Sequence, residues 1–594
     1  GIAGTINIVT RNTVRKTATD LSTALSSTAG KLSSSANVNH HQSGAGSPLQ
    51  IGARLSASQA ATSDSRRLRQ TLTTAGHSEL EQTRATIDDM DRSNSVSAGA
   101  DLTWQRAPDD TLSMTSDYYA SRGTSGRHEW RQWTNGVLLD AEQEQRSALG
   151  MLFFQARWKF KPAKNSRVEL RVMTNLIRMD TAQDRLDIAT GLALAQRQEQ
   201  QHRDVRVHGL DASYKVSLGG GHRLSAGADV GWSVKDSVFD QRLNGLPDSA
   251  LVALGQSRHA VNHKQKLYAQ DEWRVSESLA LSGGLSAARN VLEVQEGADL
   301  GRTRYQVFAP SLHASKKIGA DDKRQLRLSL ARSYKAPEND SFTLRPEINP
   351  LAPCPASGQC GPNTIDTFDS AGNPLLRPEK ALGLNLAYEH GIGDDSQVTL
   401  EVFSRRIDGK FGTAIGLAPV PWSPTPRYVA RPVNLGQARS SGIDVEFELA
   451  LRDLWDEAPK LNVRGSVGWA RSRVASVPGP DNRLDKQTPW SAKLGASYTL
   501  PDLPVKVDLD ASWSPSVWVR SSVTERISVA RRFDLDASAN WTISKAQRLV
   551  TGARAALPRS PLAVADYLAG GEQVRIETTS RRHSTMYLRF ESSL

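Results

Sequence analysis

Two cysteines, Cys354 and Cys360, are all that 594 residues contain. They are too few for a structural zinc site, and they stand close together in a Pro/Gly-rich segment, near enough for one local disulfide. That usage points to an oxidising compartment. No stretch approaches the roughly 18 consecutive apolar residues of a membrane-spanning helix, so a helical membrane protein is excluded. A phosphate-binding glycine loop, a Gly-x-Ser-x-Gly elbow and zinc-ligand spacing are also missing, which argues against an enzyme and a resident cofactor. The opening stretch, GIAGTINIVTRN, has no initiator Met, charged n-region or apolar h-region, so it is no secretory signal. A single basic patch is lacking too. The formal charge is +11, but 74 Lys and Arg are scattered among 63 Asp and Glu, a diffuse excess that does not suit a nucleic-acid partner.

What the chain has in abundance is period two. In WSAKLGASYTL, Trp490, Ala492, Leu494, Ala496, Tyr498 and Leu500 share one face, and Ser491, Lys493, Gly495, Ser497 and Thr499 the other. GIDVEFELAL sets Ile443, Val445, Phe447 and Leu449 against Asp444, Glu446 and Glu448, and FDLDASANW repeats the rule from Phe533 to Trp541. Such segments are about ten residues long, the span of a tilted strand across a bilayer, with one apolar and one hydrophilic face.

A soluble β-sandwich would alternate as well, but the connections decide against it. Short turns fall near 44–47, 107–110, 162–165, 218–221, 275–277, 318–323, 391–394, 453–459, 501–504 and 544–546. Between them lie long polar segments, roughly 64–92, 121–146, 181–204, 240–264, 336–379, 408–437, 471–489 and 558–581, with smaller connections near 27–31, 290–302 and 516–524. Alternating short and long connections are what a membrane barrel requires. The count predicts an all-β fold, a 22-stranded antiparallel transmembrane β-barrel, with both ends on the short-turn, periplasmic side. Aromatics at segment ends, among them Tyr118, Tyr119, Trp158, Trp273, Trp490, Trp513, Trp541, Tyr587 and Phe590, are placed for interfacial girdles.

Five segments carry a resemblance. GIAGTINIVTR at the start, LYAQDEWRVSESLALSGGL at 267–285, FAPSLHAS to LARSYKAP across 308–337, NPLLRPEKA at 373–381 and VNLGQARSSGIDVEFEL at 433–449 resemble, in order, stretches of TonB-dependent outer-membrane receptors. The resemblance implies a barrel over 15–594 and makes 1–14 the last strand of a plug domain, most of which would lie outside this sequence. It implies active uptake of a metal chelate, most simply a ferric siderophore, by a monomer energised through the inner-membrane TonB complex. Haem, cobalamin and saccharides are the family's other cargoes. A barrel without a plug would instead be a passive pore, and a surface attachment or signalling barrel is a third reading. The stretch from Tyr334 to Leu376 contains no His, which lowers haem.

Within that frame the candidate residues fall into groups. Arg127, Trp130, Arg131 and Trp133, and Arg427, Tyr428 and Arg431, combine cations with aromatic faces on outer loops. They suit an anionic aromatic chelate such as a ferric catecholate, or the phosphates of lipopolysaccharide. Asp444, Glu446, Glu448, Asp508, Asp510, Asp534 and Asp536 are expected on the lumen wall, either meeting a basic plug face or hydrating the lumen. Cys354 and Cys360 would form a disulfide in the seventh outer loop. Pro378 and Glu379 suit the start of a strand, where Pro has no ladder donor to lose. His40 and His41 fall near the first periplasmic turn. Phe590 stands four residues short of Leu594, whereas such barrels commonly finish on an aromatic residue.

Overall fold

The computed structural model describes residues 17–43, 47–74, 80–190, 195–252, 254–297, 299–319, 323–342, 345–352, 361–485 and 487–594. The expected plug strand at 1–14 and the Cys354/Cys360 pair lie outside these residues.

Twenty-two strands close into one antiparallel ring. They are β1 (Ala18–Thr28), β2 (Lys31–Ser43), β3 (Leu49–Thr73), β4 (Leu80–Ala107), β5 (Asp110–Trp133), β6 (Leu138–Phe160), β7 (Ser166–Ala189), β8 (Ala195–Ser217), β9 (His222–Leu243), β10 (Ser257–Arg274) and β11 (Leu279–Glu296). The second half comprises β12 (Asp299–Ile318), β13 (Arg324–Lys335), β14 (Glu379–Ile392), β15 (Ser396–Asp408), β16 (Ala438–Ala450), β17 (Leu461–Val474), β18 (Trp490–Thr499), β19 (Val505–Ser514), β20 (Arg532–Thr542), β21 (Gln547–Arg554) and β22 (Thr585–Ser593). Each strand pairs with its sequence neighbour. β1 closes on β22 with Leu21 opposite Ser592 and Leu25 opposite Leu588. Closure pairs the backbone groups between strands and leaves no edge to lipid, the condition for a polar chain to cross a bilayer. The ladder continues into the tail beyond Phe590, where Leu594 and Thr19 exchange backbone hydrogen bonds of 2.8 and 3.0 Å.

The alternation resolves into two environments. Leu382, Leu384 and Leu386 of β14 are 50%, 45% and 42% exposed on the outside, in line with Leu328 and Leu330 of β13 and Leu400 and Val402 of β15. Trp158 packs on Phe160 at the periplasmic rim, their rings 4.5 Å apart, and Trp469 meets Trp490 at the outer rim at 6.5 Å. The tight β1–β2 turn has Ala29 and Gly30 both at positive φ, 51° and 75°, the pattern of a hairpin turn matched to strand twist.

The strands end where the spacing puts the ten short turns. The outer side differs from expectation. The segments 64–92, 121–146 and 181–204 are not irregular loops: β3 and β4 pair up to Leu72 and Leu80, β5 and β6 up to Gln132 and Leu138, and β7 and β8 up to Asp187 and Ala195. Above the membrane both faces meet water, so the apolar alternation stops while the ladder continues. The wall is therefore tall from β3 to β9, where strands run to 22–28 residues, and short from β18 to β22, at 8–11. On the short side two loop hairpins restore the height. Val517–Arg520 pairs with Glu525–Val529, that strand pairs with Leu562–Ala569, and Glu572–Ser580 pairs with the upper half of β3.

A polar lumen has no apolar core, and the buried apolar clusters lie mostly in and against the outer connections. The seventh (336–378) and eighth (409–437) fold together. The eighth is a hairpin of Phe411–Val420 and Ser423–Asn434, and Asp369–Ser370 adds to it in parallel. Trp422, Val429, Ala371 and Val420 form a small core there. Arg427 and Asp369, both fully buried, form a two-pronged pair at 2.6 and 2.9 Å, and Trp422 Nε1 donates to the same carboxylate at 2.9 Å. Removing one partner would strand a buried charge. Arg427→Ala is expected to destabilise this unit by roughly 3–5 kcal/mol. Limited proteolysis checks it: new cleavage within 361–378 and 411–434 while the barrel keeps its heat-modifiable gel mobility. A charge on the lipid face acts elsewhere: Leu384→Arg should lower barrel stability by about 2–4 kcal/mol in a reversible folding titration.

Candidate functional site

The outer mouth holds a cavity of about 880 Å³ between the tall wall and the inward-folded seventh connection. Upper positions of β5 to β10 supply one side. Asp340, Ser341 and Arg345 to Pro350, with Ser370 to Gly372 and Thr413, Ala430 and Pro432, supply the other. Seven arginines line it, Arg127, Arg185, Arg197, Arg203, Arg242, Arg258 and Arg345, against four carboxylates, Glu199, Asp248, Asp340 and Glu347. Among the described residues Phe239 is the one aromatic ring in that lining.

The arginines are held from behind. Arg131 Nη2 reaches Glu129 at 2.8 Å, Arg185 Nε donates to Asp187 at 2.8 Å and Nη2 approaches Glu129 at 3.5 Å, and Arg197 meets Asp187 at 3.1 Å. This buried ladder crosses from β5 to β8. Arg197 then donates to the Pro350 carbonyl at 3.3 Å and ties the wall to the seventh connection. Arg345 and Arg258 flank the Phe239 ring, their guanidinium carbons 5.0 and 5.9 Å from its centre. Arg345 also reaches the Leu251 carbonyl at 3.3 Å, and its backbone N–H donates to Glu296 at 3.0 Å. Burial pulls Arg197, Arg258 and Arg345 below the ordinary guanidinium value, against the support of nearby carboxylates. They remain charged, so an anion entering the cavity would relieve desolvated cations. Arg203 Nε is buried with no hydrogen-bonding partner among the described residues.

The residues singled out from sequence separate. Arg127, Arg131 and Trp133 share the lumen-side face of β5, whereas Trp130 is on the opposite face, 39% exposed. All four belong to the strand and not to a loop. Arg127 lines the cavity and donates to Asp89 at 2.7 Å; Arg131 is buried, 5.8 Å from the Trp133 ring centre. Arg427 is given over to Asp369. The Tyr428 backbone N–H donates to Asn363 Oδ1 at 2.6 Å and its carbonyl accepts from Asn363 Nδ2 at 2.9 Å, and Arg431 donates to the Gly372 carbonyl at 3.0 Å. Sequence reading missed Arg185, Arg197, Arg203, Arg258 and Arg345. They are spread over 160 residues; register sets Arg185 opposite Arg197, and Arg203 and Arg258 both opposite Ser237, while Arg345 arrives on the seventh connection. The signal available was the recurrence of arginine at lumen-facing positions of β7, β8 and β10.

The acids Asp444, Glu446, Glu448, Asp508, Asp510, Asp534 and Asp536 alternate with membrane-facing apolar residues and so face the lumen. Glu446, Glu448, Asp510, Asp534 and Asp536 line one recess of about 540 Å³ with Arg464 and Lys493. Arg464 Nη2 donates to both oxygens of Asp510, at 2.7 and 2.8 Å. Glu379 opens β14, where its carboxylate accepts the Phe411 N–H at 2.9 Å, and Asn373 donates to the Pro432 carbonyl at 2.9 Å. The 373–381 segment thus fastens the seventh connection to the eighth. His40 sits within β2, its Nδ1 2.9 Å from Thr19 Oγ1.

A closed barrel of this size, with a polar lumen, interfacial aromatics, ten short turns on one side and a cation-lined mouth on the other, defines an integral outer-membrane receptor barrel. The sequence model described as "TonB dependent receptor-like, beta-barrel" matches residues 175–554, and the chain belongs to that family. No curated protein matches it by sequence. Among solved structures it is similar to the ferric citrate transporter FecA in the unliganded form, at 10% identity and TM-score 0.61 over 98% of this chain and 80% of that one. It is also similar to the ferric yersiniabactin uptake receptor FyuA from Yersinia pestis (12%, 0.62, 99% and 82%) and to the copper transporter OprC (11%, 0.60, 98% and 82%). At these identities the likeness is one of fold.

Asp340 anchors the inner turn of the seventh connection. Burial alone would lift its carboxyl, but the hydrogen bond from Lys235 and the charges of Lys235, Arg258 and Arg203 outweigh burial and hold it below the usual carboxylate range. A lowered folded-state value stabilises the attachment above the unfolded value, and that contribution is lost as pH falls through the lowered one. Protection against amide exchange at Asp340–Phe342, taken relative to the intrinsic rate at each pH, should therefore be high at neutral pH and fall under acid. Asp340→Asn should show low protection across the whole range.

Proposed function

We propose that this chain is the barrel of an energised transporter that captures a hydrophilic, anionic metal chelate at its outer mouth, a ferric siderophore rich in carboxylate or similar oxygen donors. The observation that carries the reading is the seven-arginine cavity with a single ring. It favours charge recognition over stacking, and so a less aromatic ligand than a triscatecholate. The structural likenesses support it, since FecA and FyuA are described as handling ferric chelates. Arg203, Arg258 and Arg345 would meet the anion, with Arg127 at the rim. Arg131, Arg427, Tyr428 and Arg431 would act through the scaffold they hold.

Import would draw on the inner-membrane TonB complex through a plug. The acidic sector from Glu446 to Asp536 would be the wall against which that plug rests, in a monomeric barrel that hydrolyses nothing. The outward face above the lipid would meet lipopolysaccharide.

Binding to purified protein, read by tryptophan quenching, tests the proposal. A ferric polycarboxylate should bind more tightly than a ferric triscatecholate of like size, and Arg203→Gln should weaken the polycarboxylate about tenfold or more, the equivalent of one charge-assisted hydrogen bond. Equal binding by Arg203→Gln, or a preference for neutral ligands, would overturn it.

A further inference from the structure

We propose that Asp340 is the resident occupant of a carboxylate subsite formed at the mouth by Lys235, Arg203 and Arg258, and that a carboxylate of the ligand has to displace it. Resting on the anion-capture reading above, this makes Asp340 a specificity-determining residue: an anion is admitted only if it competes with the chain's own.

Register assembles the three cations. Arg203 of β8 and Arg258 of β10 both stand opposite Ser237 of β9, and Lys235 lies two residues along on the same face of β9. The seventh connection sets a carboxylate against them. Lys235 Nζ donates to Asp340 Oδ1, and Arg258 Nη2 approaches the same oxygen at 3.7 Å. Arg203 acts on that carboxyl through its charge, helping to hold it below the usual carboxylate range. The other carboxylate at this point is Glu296 of β11, 3.7 Å from Arg258 Nη1.

The two carboxylates differ in what it costs to move them. Glu296 is 6% exposed and also accepts the Arg345 N–H, so it belongs to the scaffold. The Asp340 side chain is 64% exposed, whereas Lys235 and Arg258 beneath it are 13% and 6% exposed. A carboxylate that already faces water completes its hydration readily on turning away, but the desolvated cations cannot be left without an anion. Burial presses on both, pulling Lys235 and Arg258 below their ordinary values. The position is open to a ligand, because Asp340 itself lines the mouth cavity beside Arg203, Arg258 and Arg345. What the chain places there identifies the chemistry the position accepts: a carboxylate oxygen that takes a hydrogen bond from an ammonium with a guanidinium alongside. A polyanion held at Arg345 by one group brings a second against Asp340 at high effective concentration, an advantage that a single weak anion lacks.

The test is isothermal titration of the whole purified protein with metal-free citrate and with its neutral triamide. Asp340→Asn should tighten citrate about tenfold, the equivalent of one charge-assisted hydrogen bond no longer contested, and leave the triamide unchanged. The gain should vanish when Lys235→Gln is added, since the ammonium for which both carboxylates contend is then gone. Heat-modifiable mobility confirms that each variant folds, and if the double variant does not, the two probes decide alone. Tightening of both probes would mean that the substitution only made room, and would overturn the proposal, as would a gain that survives Lys235→Gln. Citrate bound alike by the unaltered protein and by Asp340→Asn would overturn the subsite and leave anion capture standing. Citrate bound by neither would overturn both.

Discussion

The obligation to pair every backbone N–H and C=O inside a bilayer governs this molecule. It demands a ring, and a ring of 22 strands leaves a wide polar lumen that cannot be stabilised by an apolar core. The chain answers with long ladders, a polar and charged lumen wall and a lipid-facing apolar band. Its buried apolar clusters gather in and against the outer connections, where loops fold on one another.

The same ladder builds the mouth. Because each strand is pinned to its neighbours residue by residue, Arg127, Arg185, Arg203 and Arg258, from four different strands, converge on one space. The seventh connection enters that space as a braced element. Arg427 and Asp369 bind it to the eighth, Asn373 and Glu379 fasten its far end, and Arg197 ties it to the wall. A rigid cationic surface is thereby held against water, where its charges keep more of their strength than they would on free loops.

The transmembrane half was legible in the sequence because lipid imposes a pattern: apolar residues every second position, turns at regular spacing, aromatics at the rims. That fixed the ten periplasmic turns and the closure at 22. Above the membrane the pattern vanished and legibility with it. Segments such as 121–146 read as loops because nothing apolar alternates there, yet they are ladder. This is why Trp130, grouped with Arg127 on the idea of a loop, turns out to face the other way. Apart from Arg127, the arginines of the mouth were invisible for a different reason, since sequence shows composition along one strand while the site is assembled across six. Arg427 was visible but misleading, because a cation beside aromatics looks the same whether it awaits an anion or already has one.

The barrel is joined twice, at two heights and between different strands. In the lipid, β1 meets β22; above it, the upper half of β3 meets Glu572–Ser580. The joints are staggered like the courses of a brick wall, so a fluctuation that parts β1 from β22 meets an intact course above. The outer joint also requires Glu572–Ser580 to reach back beside β3, which every other strand of the ring but β1 and β2 follows in sequence. The tall wall therefore stands unfinished until that late hairpin has been laid down.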